Sequence, residues 1–138
     1  MTNVVHWGKF YPPDMGGIES VTSSLARGAA MNGHTVTVVC FRKADSPADL
    51  TLDRVRVMRA PICFIKASQP IGIKYFSWLL KFGRRADIIH LHAPNMLAAA
   101  ATLFVGCRPK LVVHWHSDVV DKGLLGLLTK PLEWLMLR

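Results

Sequence analysis

Five of the six histidines in this 138-residue chain, His6, His90, His92, His114 and His116, fall at or just past the ends of short apolar runs. Four of them form two H-x-H pairs. Neutral imidazoles so placed can hydrogen-bond sugar hydroxyls, and an imidazolium can offset phosphate charge, with a pKa near enough to neutrality for either. Alternate residues share a strand face, a spacing that also suits a metal, but no acidic third ligand is clearly placed and no metal is expected. His116 is the candidate catalytic residue, because in HWHSD the neighbouring Ser117 and Asp118 can fix its tautomer and orientation. For each single histidine, satisfaction by a carbonyl at the rim of a sheet is the structural alternative.

A second constellation is GKFYPPDMGGIE, residues 8–19. Pro12-Pro13 stiffens the loop, and Gly16-Gly17 lets the backbone take positive φ or approach a ligand closely where a helix begins. The first-turn N–H groups of that helix have no intrahelical partner, so the junction can receive a phosphate or another anion. For a lone glycine pair an ordinary strand-to-helix connection is the stronger reading, and only the surrounding context weakens it.

These residues need elements to hold them. Val4-Val5-His6-Trp7 reads as a strand, and Ile18, Val21, Leu25 and Ala29 give one apolar stripe on a helix ending near Asn32-Gly33. TVTVVCF, residues 35–41, is a second strand, so a right-handed β-α-β unit is expected. Residues 42–53 read as a surface loop, and 54–59 as an edge strand with its arginines in water. Residues 62–65 suit a short strand or a buried loop. Ile71, Tyr75, Trp78, Leu79 and Phe82 recur at helical spacing, with Lys74, Lys81 and Arg85 on a neighbouring stripe. That helix is either core-packed with a solvated basic face or docked on an anionic membrane surface. DIIHL is a further strand, Pro94-Asn95 opens a helix through 98–105, and KLVVHW is the last strand. Such alternation predicts an α/β fold, an open, doubly wound and mainly parallel sheet whose ligands bind beyond the carboxyl ends of its strands. Residues 123–138 form a final apolar helix, kinked or restarted at Pro131, whose broad face needs a cover.

Composition narrows the partners. The length is that of about one domain, and 51% hydrophobic residues suffice for a core. Seventeen basic against nine acidic residues leave a net charge of +8, which favours anionic partners. Nucleic acid is the least supported of these, for want of a basic tail, recognition helix or zinc-finger spacing. Cys40, Cys63 and Cys107 fit no disulfide framework and read as buried hydrophobes in a reducing compartment. The start of the chain lacks a leader pattern, so a cytoplasmic location is expected. Residues 88–107 carry no charge, yet a strand, a Pro-Asn turn and an Ala-rich helix explain them better than a membrane span.

Two familiar chemistries are disfavoured. A dinucleotide-dependent dehydrogenase needs G-x-G-x-x-G after the first strand and an acid ending the second, whereas here the second ends Cys40-Phe41-Arg42-Lys43. A serine hydrolase of the α/β type needs a G-x-S-x-G elbow, which is lacking.

GKFYPPDMGGIESV, DIIHLHAPN, KLVVHWHSD and LLTKPLEWLMLR, in this order, resemble the N-terminal half of the family-4 retaining glycosyltransferases, which have the two-domain GT-B architecture. The resemblance runs from Val4 to Arg138 and is weakest over residues 45–69. It implies a Rossmann-like N-terminal, acceptor-side domain over 1–138 and transfer of a sugar, with retention, from a nucleotide-diphosphate donor. The acceptor would be a glycan, lipid or small molecule, and no cofactor is implied. By motif match Gly16 and Gly17 would lie against the donor diphosphate and the acceptor, and His116 would contact the transferred sugar. Asp14 is a candidate acceptor contact, and His92, Asn95 and Asp118 are further candidate sugar or acceptor contacts. The family's C-terminal nucleotide-sugar domain has no counterpart here, so the chain alone is expected to be inactive. A peripheral location at the inner face of the membrane is compatible with the basic helix. A non-catalytic module binding a phosphorylated ligand or a partner protein is the competing expectation.

Overall fold

Strands and helices alternate nearly as the periodicity predicts. The computed structural model describes residues 1–14, 16–66, 68–116 and 134. Ser117, Asp118, the helix expected over 123–138 and its kink at Pro131 lie outside the described residues. Within them β1 (Asn3–Trp7) leads to α1 (Gly17–Met31), β2 (Thr35–Phe41), β3 (Asp49–Leu52) and β4 (Val55–Ala60). A small hairpin, β5 (Phe64–Lys66) and β6 (Gln69–Ile71), precedes α2 (Ile73–Gly83), β7 (Ile88–Ala93), α3 (Met96–Thr102) and β8 (Lys110–Trp115).

Six strands form one sheet in the order β3-β4-β2-β1-β7-β8, with only β3 antiparallel to its neighbour. The strand order reverses at β1, which pairs in parallel with β2 on one side and β7 on the other. That is the topological switch point, where side chains at the carboxyl ends can line a crevice. β2 is buried at six of its seven positions because both its faces are covered, as the unbroken β-branched run requires.

Two layers of core enclose the sheet. On one face Val5, Trp7, Phe41 and Leu91 pack with Tyr75 and Leu79 of α2 and Ala98 and Ala101 of α3. On the other Val4, Val36, Val38 and Val57 pack with Ala26 and Ala30 of α1. Gly83 sets how closely α2 approaches: a Cβ there would come 2.6 Å from Trp7 Cζ2 and 3.0 Å from Val105 Cγ1. Forcing such a methyl into a filled core costs about 1–3 kcal/mol.

The structure corrects several expectations. Residues 42–53 are not all loop, since Asp49–Leu52 pairs with β4 and takes the sheet edge. β4 is therefore interior, and only Arg54 and Arg56 face water; Arg59 is buried, donating to the carbonyls of Pro12 and, at 3.4 Å, Pro47. A guanidinium is tolerated there because carbonyls replace part of its hydration. On α1 the buried stripe is Thr22, Ala26 and Ala30, small residues that admit close approach, while Val21 and Leu25 are 36% and 38% exposed. Residues 62–65 contribute to an exposed hairpin. Cys40 is buried, with burial pushing its thiol up to about 12, but Cys63 and Cys107 are exposed. Residues 88–107 do divide into β7 and α3, and among the described residues no helix is long and apolar enough to cross a membrane.

Candidate active site

The loop after β1 is held from both ends. Tyr75, fully buried on α2, donates its hydroxyl to Gly8 O at 2.8 Å and accepts from Asn95 Nδ2 at 2.8 Å. Burial holds the Tyr75 phenol protonated by raising its pKa, so it serves as a neutral donor. Tyr75 thus belongs to the core, as the core-packed reading of this helix expects, and is withdrawn from any membrane-facing surface. Asn95 is equally committed: its Oδ1 accepts from Ala98 N at 3.2 Å and caps α3. Both its polar atoms make a hydrogen bond within the fold.

Further along the loop Asp14 turns inward, its side chain 9% exposed and 3.7 Å from Lys43 Nζ at the end of β2. It ties loop to sheet. Gly16 caps α1 in extended geometry, and no left-handed φ is used at either glycine of the pair. Their service is space. A Cβ on Gly16 would run into the Glu19 carboxylate, whereas one on Gly17 would meet none of the described residues within 4 Å. The second glycine leaves an opening at the start of a fifteen-residue helix.

Glu19 was not among the residues singled out from sequence. It occupies the third helical position, from which an acid can fold back over the cap, and that spacing from Gly16 is its legible signal. Its carboxylate reaches back over Gly16, where it favours the positive end of the helix dipole. It also acts on His116: burial and then His114 lower the His116 pKa, and Glu19 partly offsets them. The glycine loop and His116 therefore share one electrostatic neighbourhood, although one opens the first helix and the other follows the last described strand.

Period-two alternation puts His6 on the side of β1 that carries Val4, and His90 and His92 on the side of β7 that carries Ile88, facing α1. His6 stands opposite His90 and His92 opposite His114 in the ladder. Three of the rings join into a chain climbing toward the carboxyl edge: His6 Nδ1 to His92 Nε2, 3.0 Å, and His92 Nδ1 to His116 Nε2, 3.0 Å. The joined rings have centroids 5.3 Å apart with planes inclined by 19° and 24°, the separation of rings linked end to end through their nitrogens. His90 lies flat on His92 (4.7 Å, 3°) and His114 on His116 (4.3 Å, 9°).

Burial dominates the titration of this cluster. It lowers His6 to about 3, His90 to about 4 and His92 to about 2, with neighbouring histidines adding to each shift. All three rings are neutral near pH 7, so charge compensation of a phosphate falls to none of them. The sets His6/His90/His92 and His92/His114/His116 bring nitrogens within 4.8 Å of one another, as a metal site does. A metal lies near the plane of every imidazole that binds it, and rings stacked face to face direct their lone pairs side by side. A hydrogen-bonded stack fits this geometry better than a metal cage.

An open, mainly parallel α/β sheet whose strand order reverses at β1, with helices on both faces, defines a Rossmann-like domain. The chain belongs to the glycosyl transferase 4-like domain family, whose model matches residues 16–138. It is 32% identical over 133 residues to O-antigen chain mannosyltransferase C of Escherichia coli, covering 94% of this chain and 35% of the relative. It is 25% identical over 130 residues to D-rhamnosyltransferase WbpZ of Pseudomonas aeruginosa, covering 94% of this chain and 34% of the relative. The chain therefore spans about a third of the length of the curated relatives it matches.

Proposed function

We propose that this domain forms the acceptor-side wall of a sugar-transfer cleft, receiving a sugar from a nucleotide-diphosphate donor with retention at the anomeric carbon. By likeness to the mannosyl- and rhamnosyltransferase, the transferred unit is a mannose or rhamnose, and the acceptor is a glycan, lipid or small molecule. A second, C-terminal domain supplies the nucleotide-sugar site, and residues 1–138 alone turn over no donor, because proximity of both substrates needs both walls. The protein works in the cytoplasm and uses no cofactor.

One observation carries this reading: the empty space at Gly17, at the start of α1 and in the same electrostatic neighbourhood as His116. Among the described residues nothing crowds that position, so a ligand can approach the backbone there. Gly17→Ala in the full-length enzyme should leave stability unchanged or raise it by up to about 1 kcal/mol, through lower chain entropy in the unfolded state. It should nonetheless reduce kcat/KM about tenfold, as a methyl in the path of the diphosphate or acceptor displaces it by a fraction of its own width. Nucleoside diphosphate release alongside chemical denaturation checks both; unchanged kinetics would transfer the support to the binding-module alternative.

A peripheral contact with anionic membrane is part of the proposal, narrowed by the structure. With Tyr75 internal, the surface on offer is Ile73, 81% exposed, with Lys74 and Lys81, whose ammonium groups lie over the half-buried Trp78 and Phe82 rings at 4.8 and 5.8 Å. Each basic residue near such a surface contributes about 1 kcal/mol. Sedimentation with vesicles should increase with acidic lipid and fall with salt; insensitivity to both would count against it.

A further inference from the structure

We propose that His6 and His92 are positioning residues that lock His116 as its Nδ1–H tautomer, presenting a hydrogen-bond donor at the carboxyl edge of the sheet. The donor's use on a sugar or diphosphate oxygen rests on the sugar-transfer reading, while the tautomer rests on the histidine chain alone.

A neutral imidazole carries one N–H, and each ring in the chain has spent a known nitrogen on its neighbour. Two polarities satisfy both hydrogen bonds. In the first, protons point inward: His116 Nε2–H donates to His92 Nδ1, His92 Nε2–H donates to His6 Nδ1, and His6 holds its proton on Nε2. In the second, protons point outward: His6 Nδ1–H donates to His92 Nε2, His92 Nδ1–H donates to His116 Nε2, and His116 holds its proton on Nδ1. The blind end of the chain decides between them. His6 is 1% exposed and its Nε2 has no hydrogen-bond partner. The first polarity strands an N–H donor at that nitrogen, and the second strands only a lone pair. Orphaned buried donors are the rarer and costlier of the two.

The surroundings keep the chain in this state. His90 and His114 stack flat against His92 and His116, so the rings cannot turn out of the chain without losing those contacts. Burial keeps His6 and His92 uncharged around neutrality, which preserves one proton per ring. His116 is half-buried and the chain occupies its Nε2; among the described residues no partner takes Nδ1, which can meet a ligand. Read alone, the H-x-H spacing leaves each histidine free to act as acid, base or ligand; joined, they leave His116 the part of a neutral donor.

Imidazole-¹⁵N-labelled full-length protein at neutral pH tests the tautomer by long-range ¹H–¹⁵N correlation spectra. His6, His92 and His116 should each show a protonated Nδ1 and an unprotonated Nε2, with couplings across both N–H···N bonds. An Nε2–H or rapidly averaging His116 would overturn the proposal. In the same protein His92→Leu should release His116 to the Nε2–H form favoured in water and lower kcat about ten- to hundredfold, the order seen when a group orienting a functional imidazole is removed. KM should change little. His92→Gln, whose amide oxygen can accept from His6 and whose N–H can donate to His116, should restore most of the loss; a Gln variant no better than Leu would overturn the positioning role. Should the spectra show the Nδ1–H tautomer while His116→Ala keeps full turnover, the tautomer lock stands and the sugar-transfer reading of His116 falls.

Discussion

Under the proposed sugar transfer, replacing His116 by alanine in the full-length protein should lower kcat/KM by roughly a hundredfold or more, the order expected for one preorganised donor acting on charge that develops as the bond to the diphosphate breaks. Stability should move far less. His116 is half-buried and shares one hydrogen bond with His92, so its removal forfeits about 1 kcal/mol, and water entering from the open side can take over part of that bond. The two magnitudes differ by more than 1 kcal/mol in the free energies they represent, enough to separate a reacting contact from a rim contact. Thermal unfolding and steady-state kinetics on wild type and His116→Ala make the comparison. Near-normal kinetics with a lowered melting temperature would assign His116 to the fold alone.

Acidification should destabilise the domain well before carboxylates protonate. His6 and His92 have folded pKa values of about 3 and about 2, both below the ordinary value of 6.5. Between those limits the unfolded chain binds more protons than the folded one, so stability rises with pH across the window and is complete above 6.5. On lowering the pH from 6.5, each ring costs about 1.4 kcal/mol per pH unit. The two buried rings together remove about 3 kcal/mol by pH 5.5, a large fraction of a typical domain's stability. Urea denaturation midpoints at pH 7.5 and 5.5 give the measurement, and a His6→Phe, His92→Phe double variant should lose most of the pH dependence. Equal midpoints in the wild type at the two pH values would contradict the neutral chain.

The alternation of elements was legible because residues 35–41 carry a dense β-branched run and 110–115 a short apolar one, and the bounds of both coincide with β2 and β8. The edge strand was not. DLTL has no run long enough to distinguish it from loop, and its pairing is settled by β4 across a tight turn at Asp53 and Arg54, both with positive φ. Helical spacing located α1 and α2 and read the core-packed face of α2, where Tyr75 reaches Gly8 and Asn95, but it misjudged α1, where closeness to the sheet selected alanines over valine and leucine. The candidate site was legible in its members and not in its wiring. Residues 90, 92, 114 and 116 announce a shared face by spacing, but the bonds from His6 to His92 and from His92 to His116 depend on strand order, which no local pattern contains. Asn95 could be placed at a helix start, while its engagement with Tyr75 depends on a contact twenty residues away.

The bond between His6 and His92 joins positions 86 residues apart. During synthesis β1 leaves the ribosome first, yet β7, its partner on that side, appears only after β2 to β6 and both intervening helices have been made. Pairing that spans so much chain must wait for closure of a long loop, while α1 and β2 can dock onto β1 early. His6 consequently stays hydrated, with an ordinary affinity for protons, through most of translation and becomes a neutral interior ring only at the end. The histidine chain is then among the last features of the domain to assemble, so a nascent chain that stalls before β7 holds a half-sheet with no site.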